Sequence, residues 1–276
     1  MNGRLFRWHT VHRRRLEIRE ASDPWQVLVA EVMSQQTGIE RVGPAWRRFV
    51  DLWPSPAALA GAGTHDLLAA WAGLGYNRRA LALRESARTI VTEHRGRVPA
   101  TVRELERLPG IGAYTARAIA AAGFSVPVAP LDVNVRRVVS RILGIAPSSP
   151  DLQVLADGLV SRTDPGGWLD AVMDLASGTC TLRAPACDLC PIASLCASRG
   201  AVIAVEPRRA GISFPRTTRW LRGRLVAAVT AAPVGTWVPL PERLGHHDAD
   251  AIALAVRGLE RDGFLDVRPG AARVRQ

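Results

Sequence analysis

All four cysteines of the chain, Cys180, Cys187, Cys190 and Cys196, fall within 17 residues in the pattern C-x6-C-x2-C-x5-C. Thiolates at these separations can wrap one ion or cluster. The 276 residues are 47% hydrophobic, enough to build a core without covalent staples, so a metal centre is a better reading than disulfides. Four-cysteine zinc sites usually use two C-x2-C knuckles, whereas here a single C-x2-C lies between spacings of six and five. The spacing therefore favours a [4Fe-4S] cluster, with zinc the alternative and unligated or disulfide-linked cysteines a third.

Upstream, from Pro24 to about Leu143, short apolar stripes at helical spacing are separated by Pro and Gly, with few strand-like alternations. The region is mainly α. A helix is predicted from Asp23-Pro24, where Asp can cap and Pro can take the first helical position, with Trp25, Leu28, Val29, Val32 and Met33 as its apolar stripe and Glu31 at the edge. TVRELERL and AYTARAIAAAG read as two further helices joined by LPGIG, in which Gly110 and Gly112 permit a tight hairpin. Such a hairpin, opening a helix with unpaired N–H groups, can grip a phosphate; it can equally be an ordinary turn. After Cys196, residues 205–219 are rich in Pro and Arg and read as a linker. Residues 220–276 then give a helix at Trp220–Thr230, a helix at Asp248–Arg261 and a hairpin in GFLDVRPGAARVR, the order of a winged-helix-like module. The expected division is 1–204, containing the cysteine loop 180–196, then the linker, then the module.

The 36 basic residues are all arginine, against 25 acidic ones, for a formal charge of +11. Planar guanidinium groups suit phosphate, so nucleic acid is the leading partner; replacement of Lys by Arg through genome composition is the bland explanation. Without lysine, no side-chain amine can form a Schiff base. The longest mostly apolar stretch, Ala118 to Leu131, is broken by Gly123, Ser125, Pro127 and Pro130, so no membrane span is expected. The opening MNGRLFRWHTVHRRR lacks a secretory apolar run, and a cytosolic protein, in the bacterial cytosol or nucleoid, is expected.

Taken together, AEVMSQQT (30–37), AWAGLGY (70–76), LPGIGAYTARAI (108–119), LDVNVRRV (131–138), MDLASGTC (173–180) and the cysteine spacing resemble, in order, the helix-hairpin-helix DNA glycosylases with an iron–sulfur cluster, the superfamily of endonuclease III and the MutY adenine glycosylases. The resemblance covers roughly Arg13 to Ala197. It implies a fold of two helical lobes with a cluster loop, and an enzyme that cleaves the N-glycosidic bond of a base rotated out of duplex DNA.

Within that resemblance Asp132 is the carboxylate that stabilises the cationic sugar and positions water, and Glu31 is the acid that protonates adenine. By residue type alone they are a helix cap and a rim glutamate. Asn134 is implied to hold the sugar or the water. Tyr114 stands where bifunctional relatives carry a catalytic lysine, which implies a monofunctional enzyme; as a generic residue it would be core. Gln36 and Thr37 match residues that enter the duplex, Leu74 and Tyr76 match a loop that wedges and stacks there, and Leu108, Gly110 and Gly112 form the phosphate-gripping hairpin. Arg14 matches an arginine near the pocket.

Leu16, Glu17, Ile18 and Arg19 stand where MutY proteins usually read L-P-W-R, so that Pro and Trp are lost from a wall of the base pocket, Asn77 replaces an aromatic residue, and no nudix-like domain is expected. The first expectation is thus a monomeric, monofunctional glycosylase removing adenine opposite guanine or 8-oxoguanine from double-stranded DNA. Thymine or uracil opposite guanine, or hypoxanthine, is the second substrate class, and a non-enzymatic iron–sulfur DNA-binding protein the third reading.

Overall fold

The computed structural model describes residues 1–21, 23–201 and 211–276. They form two compact units, one of residues 1–32 with 98–201 and the other of 33–97 with 211–276.

The first unit is helical, and its core gathers Leu5, Ala118, Val135, Val139, Trp168 and Leu175. Three of its helices shape the site. Pro24–Ser34 starts where expected: Asp23 Oδ1 accepts from the N–H groups of Trp25 at 2.8 Å and Gln26 at 3.1 Å. Ala113–Phe124 packs closely on it, because a Cβ at Gly123 would lie 3.3 Å from Pro24 Cα. Pro165–Gly178 approaches the same helix through Gly166, where a Cβ would lie 3.1 Å from Ala122 Cα. Small residues in AIAAAG thus let three backbones converge, and side chains such as Trp168 fill the space around them. Truncating Trp168 to Ala would cost about 3–5 kcal/mol.

The expected TVRELERL helix is shortened to Val102–Leu105. Its start is fixed by the Thr101 hydroxyl, which accepts from Glu104 N–H at 3.3 Å, but the chain turns early so that Leu108 and Ile111 can be buried. Gly110, at φ +78°, makes the turn.

In the second unit, helices Ile39–Leu52, Thr64–Ala70 and Arg78–Glu93 surround Phe49 and Trp71, whose rings meet edge-on at 5.9 Å. The C-terminal residues add helices Thr218–Thr230 and Ala249–Arg261 and a small antiparallel sheet of β1 (Val238–Pro239), β2 (Leu265–Arg268) and β3 (Ala271–Val274), in the order β1-β3-β2. Leu265 pairs with Val274 and Arg268 with Ala271, so Pro269 and Gly270 make the hairpin turn that the sequence announces. Helix, helix and hairpin follow in the expected winged-helix order.

The division into units follows different lines from 1–204 and 220–276. Leu68 joins the cluster of Leu221, Leu225, Ile252, Leu259 and Phe264, and His65 Nε2 lies 3.0 Å from the Ala232 carbonyl oxygen. Residues 33–97 therefore share a core with the C-terminal residues. Of the expected linker, 205–210 lies outside the described residues; 211–219 holds a 3-10 turn, Phe214–Arg216, and already starts the next helix at Thr218, two residues before Trp220. Among the described residues no helix is long and apolar enough to cross a membrane.

Candidate active site

Glu31 lies on the Pro24–Ser34 helix in the first unit, half-buried at the edge of the apolar stripe. Burial, and then the nearby carboxylates of Asp170 and Asp132, push its pKa up to about 7. Near neutrality it carries a proton that an ordinary glutamate has lost. Tyr114, in the first turn of the Ala113–Phe124 helix, is raised in the same way, by burial first and then by Glu31, Asp132 and Asp170. Its hydroxyl remains a donor at any physiological pH. Glu31 and Tyr114 therefore both lie within the field of the Asp132 carboxylate.

Asp132 is both an N-cap and a candidate catalytic carboxylate. Its Oδ1 accepts from the N–H groups of Asn134 at 2.8 Å and Val135 at 2.7 Å, and its Oδ2 accepts from Asn134 Nδ2 at 2.9 Å. Three donors fix the carboxylate's orientation at the positive end of the Val133–Leu143 helix. Asn134 is fixed in turn: Arg137 donates to its Oδ1 at 3.1 Å, and the same guanidinium donates to the carbonyls of Cys180 at 3.0 Å and Ala176 at 2.8 Å. The carboxylate is thereby tied to the start of the cysteine loop.

Two charged residues at the site were not anticipated. Asp170 faces Glu31 from the Pro165–Gly178 helix; burial raises its pKa, opposed by Arg19, whose Nε is 2.9 Å from Asp170 Oδ1. Arg19 also donates to both oxygens of Asp174, each at 2.9 Å, so the Leu16–Arg19 stretch, which keeps the arginine of L-P-W-R, supplies a buried cation here. Burial alone would raise the pKa of Asp174, but the hydrogen bonds from Arg19 and Arg14 outweigh it and hold the carboxyl at about 2. His9 Nε2 lies 3.0 Å from the same carboxylate. Asp170 and Asp174 are four residues apart, hence on one face of an otherwise apolar helix, and that pairing was the available signal.

Arg14, expected near the pocket, is bound by Asp174: its Nε lies 2.6 Å from Oδ1 and its backbone N–H 3.1 Å from Oδ2. The LPGIG hairpin is split in character. Leu108 is a buried anchor at 2% exposure, with its N–H and C=O both in backbone hydrogen bonds, whereas exposed Gly112 opens the Ala113–Phe124 helix without a side-chain cap. Gly110 is the exposed apex. The hairpin's usable contacts are thus the backbone at its tip and the helix start, while the Leu108 side chain faces inward.

In the second unit, Gln36 is exposed at φ +53° and Tyr76 is 37% exposed at φ +47°, both in a region that side chains seldom adopt. Thr37 and Leu74 are interior instead. Leu74 is only 4% exposed, so the structure places it in the core and not at a protruding tip, and its carbonyl accepts from the buried Thr37 hydroxyl at 3.1 Å. A missed residue organises both segments. Arg79 donates to the carbonyls of Met33 at 2.8 Å, Gln35 at 2.6 Å, Leu74 at 3.2 Å and Gly75 at 2.9 Å, and to Thr37 Oγ1 at 2.8 Å. Burial lowers its pKa to about 10, which leaves it cationic at neutral pH.

The cysteine loop, in the first unit, closes a cavity whose lining includes Cys180, Cys187, Cys190 and Cys196 together with Arg141. Arg141 is buried and donates to Cys180 Sγ at 3.3 Å and to the carbonyls of Thr181 at 2.7 Å and Leu182 at 3.0 Å, while the Cys196 thiol donates to the Arg141 carbonyl at 3.3 Å. Among the described residues, no three Cys, His, Asp or Glu side chains are grouped to hold a single metal ion.

Residues 29–159 match the family model described as HhH-GPD superfamily base excision DNA repair protein. The chain is 40% identical over 228 residues to an adenine DNA glycosylase of Mycolicibacterium smegmatis, covering 80% of this chain and 78% of that protein. It is 42% identical over 238 residues to one from Mycobacterium tuberculosis, covering 83% and 78%, and 37% identical over 212 residues to one from Homo sapiens, covering 71% and 39%. Among solved structures, a thermostable thymine-DNA glycosylase superposes with a TM-score of 0.66 at 25% identity, over 71% of this chain and 94% of that one. An endonuclease III in complex with DNA superposes at 0.56 and 23% identity, over 64% and 85%, a likeness of fold. With relatives 40% and 42% identical that cover about four-fifths of both chains, the chain belongs to the adenine DNA glycosylase family of the HhH-GPD superfamily.

Proposed function

We propose that the protein is a monofunctional DNA glycosylase that hydrolyses the N-glycosidic bond of an extruded adenine mispaired with guanine or 8-oxoguanine. The observation that carries this reading is the division of labour between two neighbouring carboxyl groups: Glu31, protonated near pH 7, and Asp132, oriented by three donors. Glu31 gives its proton to a ring nitrogen of the adenine, so the C1′–N9 bond breaks with its electron pair leaving on a neutral base. Asp132 stabilises the cationic sugar that remains; as the attacking water bonds to C1′ its proton passes to the Glu31 carboxylate left by the first transfer, which restores the acid. The products are adenine and an abasic site. Tyr114, an un-ionised donor beside Glu31, occupies the position that a Schiff-base lysine would need, and the sequence has no lysine to replace it. The abasic strand therefore leaves intact.

The backbone tip of the LPGIG hairpin and the start of the Ala113–Phe124 helix supply phosphate contacts, and Gln36 and Tyr76 are the side chains offered to the duplex. The partner is double-stranded DNA containing a mismatch, bound by a monomer in the cytosol. Cys180, Cys187, Cys190 and Cys196 are the residues that would hold a [4Fe-4S] cluster. Supporting this is a set of four thiols around one cavity in the spacing C-x6-C-x2-C-x5-C. When bound there, such a cluster would order the loop whose Cys180 carbonyl accepts from Arg137.

The test is single-turnover base release from duplexes carrying A opposite 8-oxoguanine, A opposite G, T opposite G, U opposite G and hypoxanthine opposite T, each resolved with and without hot alkali. Adenine release with strand breaks only after alkali is expected. Thymine or uracil release is the second reading, favoured by the likeness to a thymine-DNA glycosylase and by Tyr114 in the site.

A further inference from the structure

The sheet of β1, β2 and β3 has two faces of different chemistry. Leu265, Ala272 and Val274 are buried in the cluster with Leu225 and Leu259, and Val238 and Val267 pack on it. With a period of two, Asp266, Arg268, Arg273 and Arg275 turn the other way, and Trp237, just before β1, joins them opposite Arg273. The Arg268 guanidinium lies 4.5 Å from the Trp237 ring centroid and the Arg273 guanidinium 4.8 Å from it. The carboxylate that answers these cations is shared: Arg273 Nε donates to Asp266 Oδ2 at 3.2 Å, and Arg275 Nε to Oδ1 at 3.3 Å. Arg268 is exposed and, among the described residues, pairs with no carboxylate. The helix before the sheet has the opposite character at its start, since Ala249–Arg261 is capped by Asp248 and carries Asp250 in its first turn. A helix that enters a DNA groove leads with that end, and carboxylates there repel phosphate.

We propose that the outer face of this sheet, with Arg268, Arg273 and Arg275 around Trp237, grips the sugar–phosphate backbone of duplex DNA as a contact that ignores sequence and mismatch. Guanidinium groups gathered around one indole with a single shared carboxylate repel one another, and a polyanion relieves that repulsion. The indole face orients the two nearer guanidiniums in advance, which lowers the ordering cost of binding and leaves N–H edges for phosphate oxygens. Trp237 is thus a positioning residue. The hairpin tip beside Arg268 consists of exposed Pro269 and Gly270, the latter at φ +72°, so no bulky side chain holds a rod-shaped partner away. Phosphates recur along any duplex, so such a contact anchors the protein without specifying a site. None of these residues lies within 29–159, the stretch that the superfamily model matches. The inference rests on the glycosylase reading for the choice of DNA over an acidic protein surface, but it is probed without base release.

The test measures the affinity of the full-length protein for a fully paired duplex and for the same duplex with one A opposite G, at salt concentrations from about 50 to 200 mM. The slope of log affinity against log salt should become shallower by about 0.9 in Arg268→Gln and by about 1.8 in the Arg268→Gln, Arg275→Gln double variant, equally on both duplexes. At the low-salt end the double variant should bind about tenfold more weakly or worse. Trp237→Leu, which keeps every charge, should weaken binding about threefold with the slope unchanged. Asp266→Asn has the opposite sign: it releases Arg273 and Arg275 and should tighten binding severalfold, a gain that no folding defect produces. Folded arginine variants with the wild-type slope, an Asp266→Asn protein that binds no more tightly, or a loss confined to the mismatched duplex would overturn the proposal, the first of these leaving an acidic protein surface as the occupant. Adenine release is scored separately. A protein whose slope responds but that releases no adenine keeps the sheet contact and loses the glycosylase reading, and one that releases adenine with its slope unmoved does the reverse.

Discussion

The Arg79 guanidinium donates to the Thr37 hydroxyl at 2.8 Å, and through its remaining N–H groups it joins the end of the Glu31 helix to the Leu74–Gly75 turn. A planar group with a fixed fork can satisfy these acceptors together, whereas an ammonium cannot. Arg79→Lys is therefore expected to behave almost as badly as Arg79→Met. Each should lower unfolding free energy by about 3 kcal/mol in denaturant titrations, since buried carbonyls lose their donors. Affinity for a mismatched duplex should fall with it, because Gln36 and Tyr76 lose their support.

Asp132 combines a cap with a charge, and the two can be separated. Asn is as good an N-cap as Asp, so Asp132→Asn should keep its stability within about 1 kcal/mol. Base release under single-turnover conditions should fall roughly 10²–10³-fold, the scale on which one electrostatic partner of a cationic transition state acts. Unchanged release would leave Asp132 a cap and nothing more.

Glu31 costs the protein stability. Its pKa rises from the ordinary 4.5 to about 7 on folding, so between those values the native state binds more protons than the unfolded state. Stability falls as pH rises through that window and stays lower above it, by about 3 kcal/mol. Glu31→Gln should thus melt several degrees higher than the wild type at pH 8 and nearly together with it at pH 4.5, as read by calorimetry.

Purified without exposure to air, the protein should be brown and should contain iron and acid-labile sulfide. Cys190→Ser should lose the visible absorbance. Because the Cys180 carbonyl holds Arg137, and Arg137 holds Asn134, loss of the cluster should also slow base release. A colourless protein with stoichiometric zinc would remove the cluster from the account.

The elements legible in the sequence were those with local signals. Asp23-Pro24 marks a helix start, and it caps as read. GFLDVRPGAARVR carries an alternation and a Pro-Gly turn, and it forms β2 and β3. Glu31, Tyr114 and Asp132 are singled out by motifs in register, and in the structure Glu31 and Tyr114 lie within the field of Asp132. Arg79 meets Met33 across 46 positions, and Arg19 meets Asp174 across 155. No periodicity or spacing announces such pairs, and tertiary packing alone creates them. The same holds for Leu74, read as a wedge by its motif but drawn into the core, and for the shared core of Leu68 with Leu225 and Leu259.

The central claim is that a protonated Glu31 delivers the proton on which the base departs. The pH dependence of single-turnover adenine release from an A opposite 8-oxoguanine duplex tests it most directly. The expected rate is level below about pH 7 and falls about tenfold per pH unit well above it, with Glu31→Gln inactive throughout. A wild-type rate that stays flat to pH 9, or an active Glu31→Gln protein, would contradict the claim.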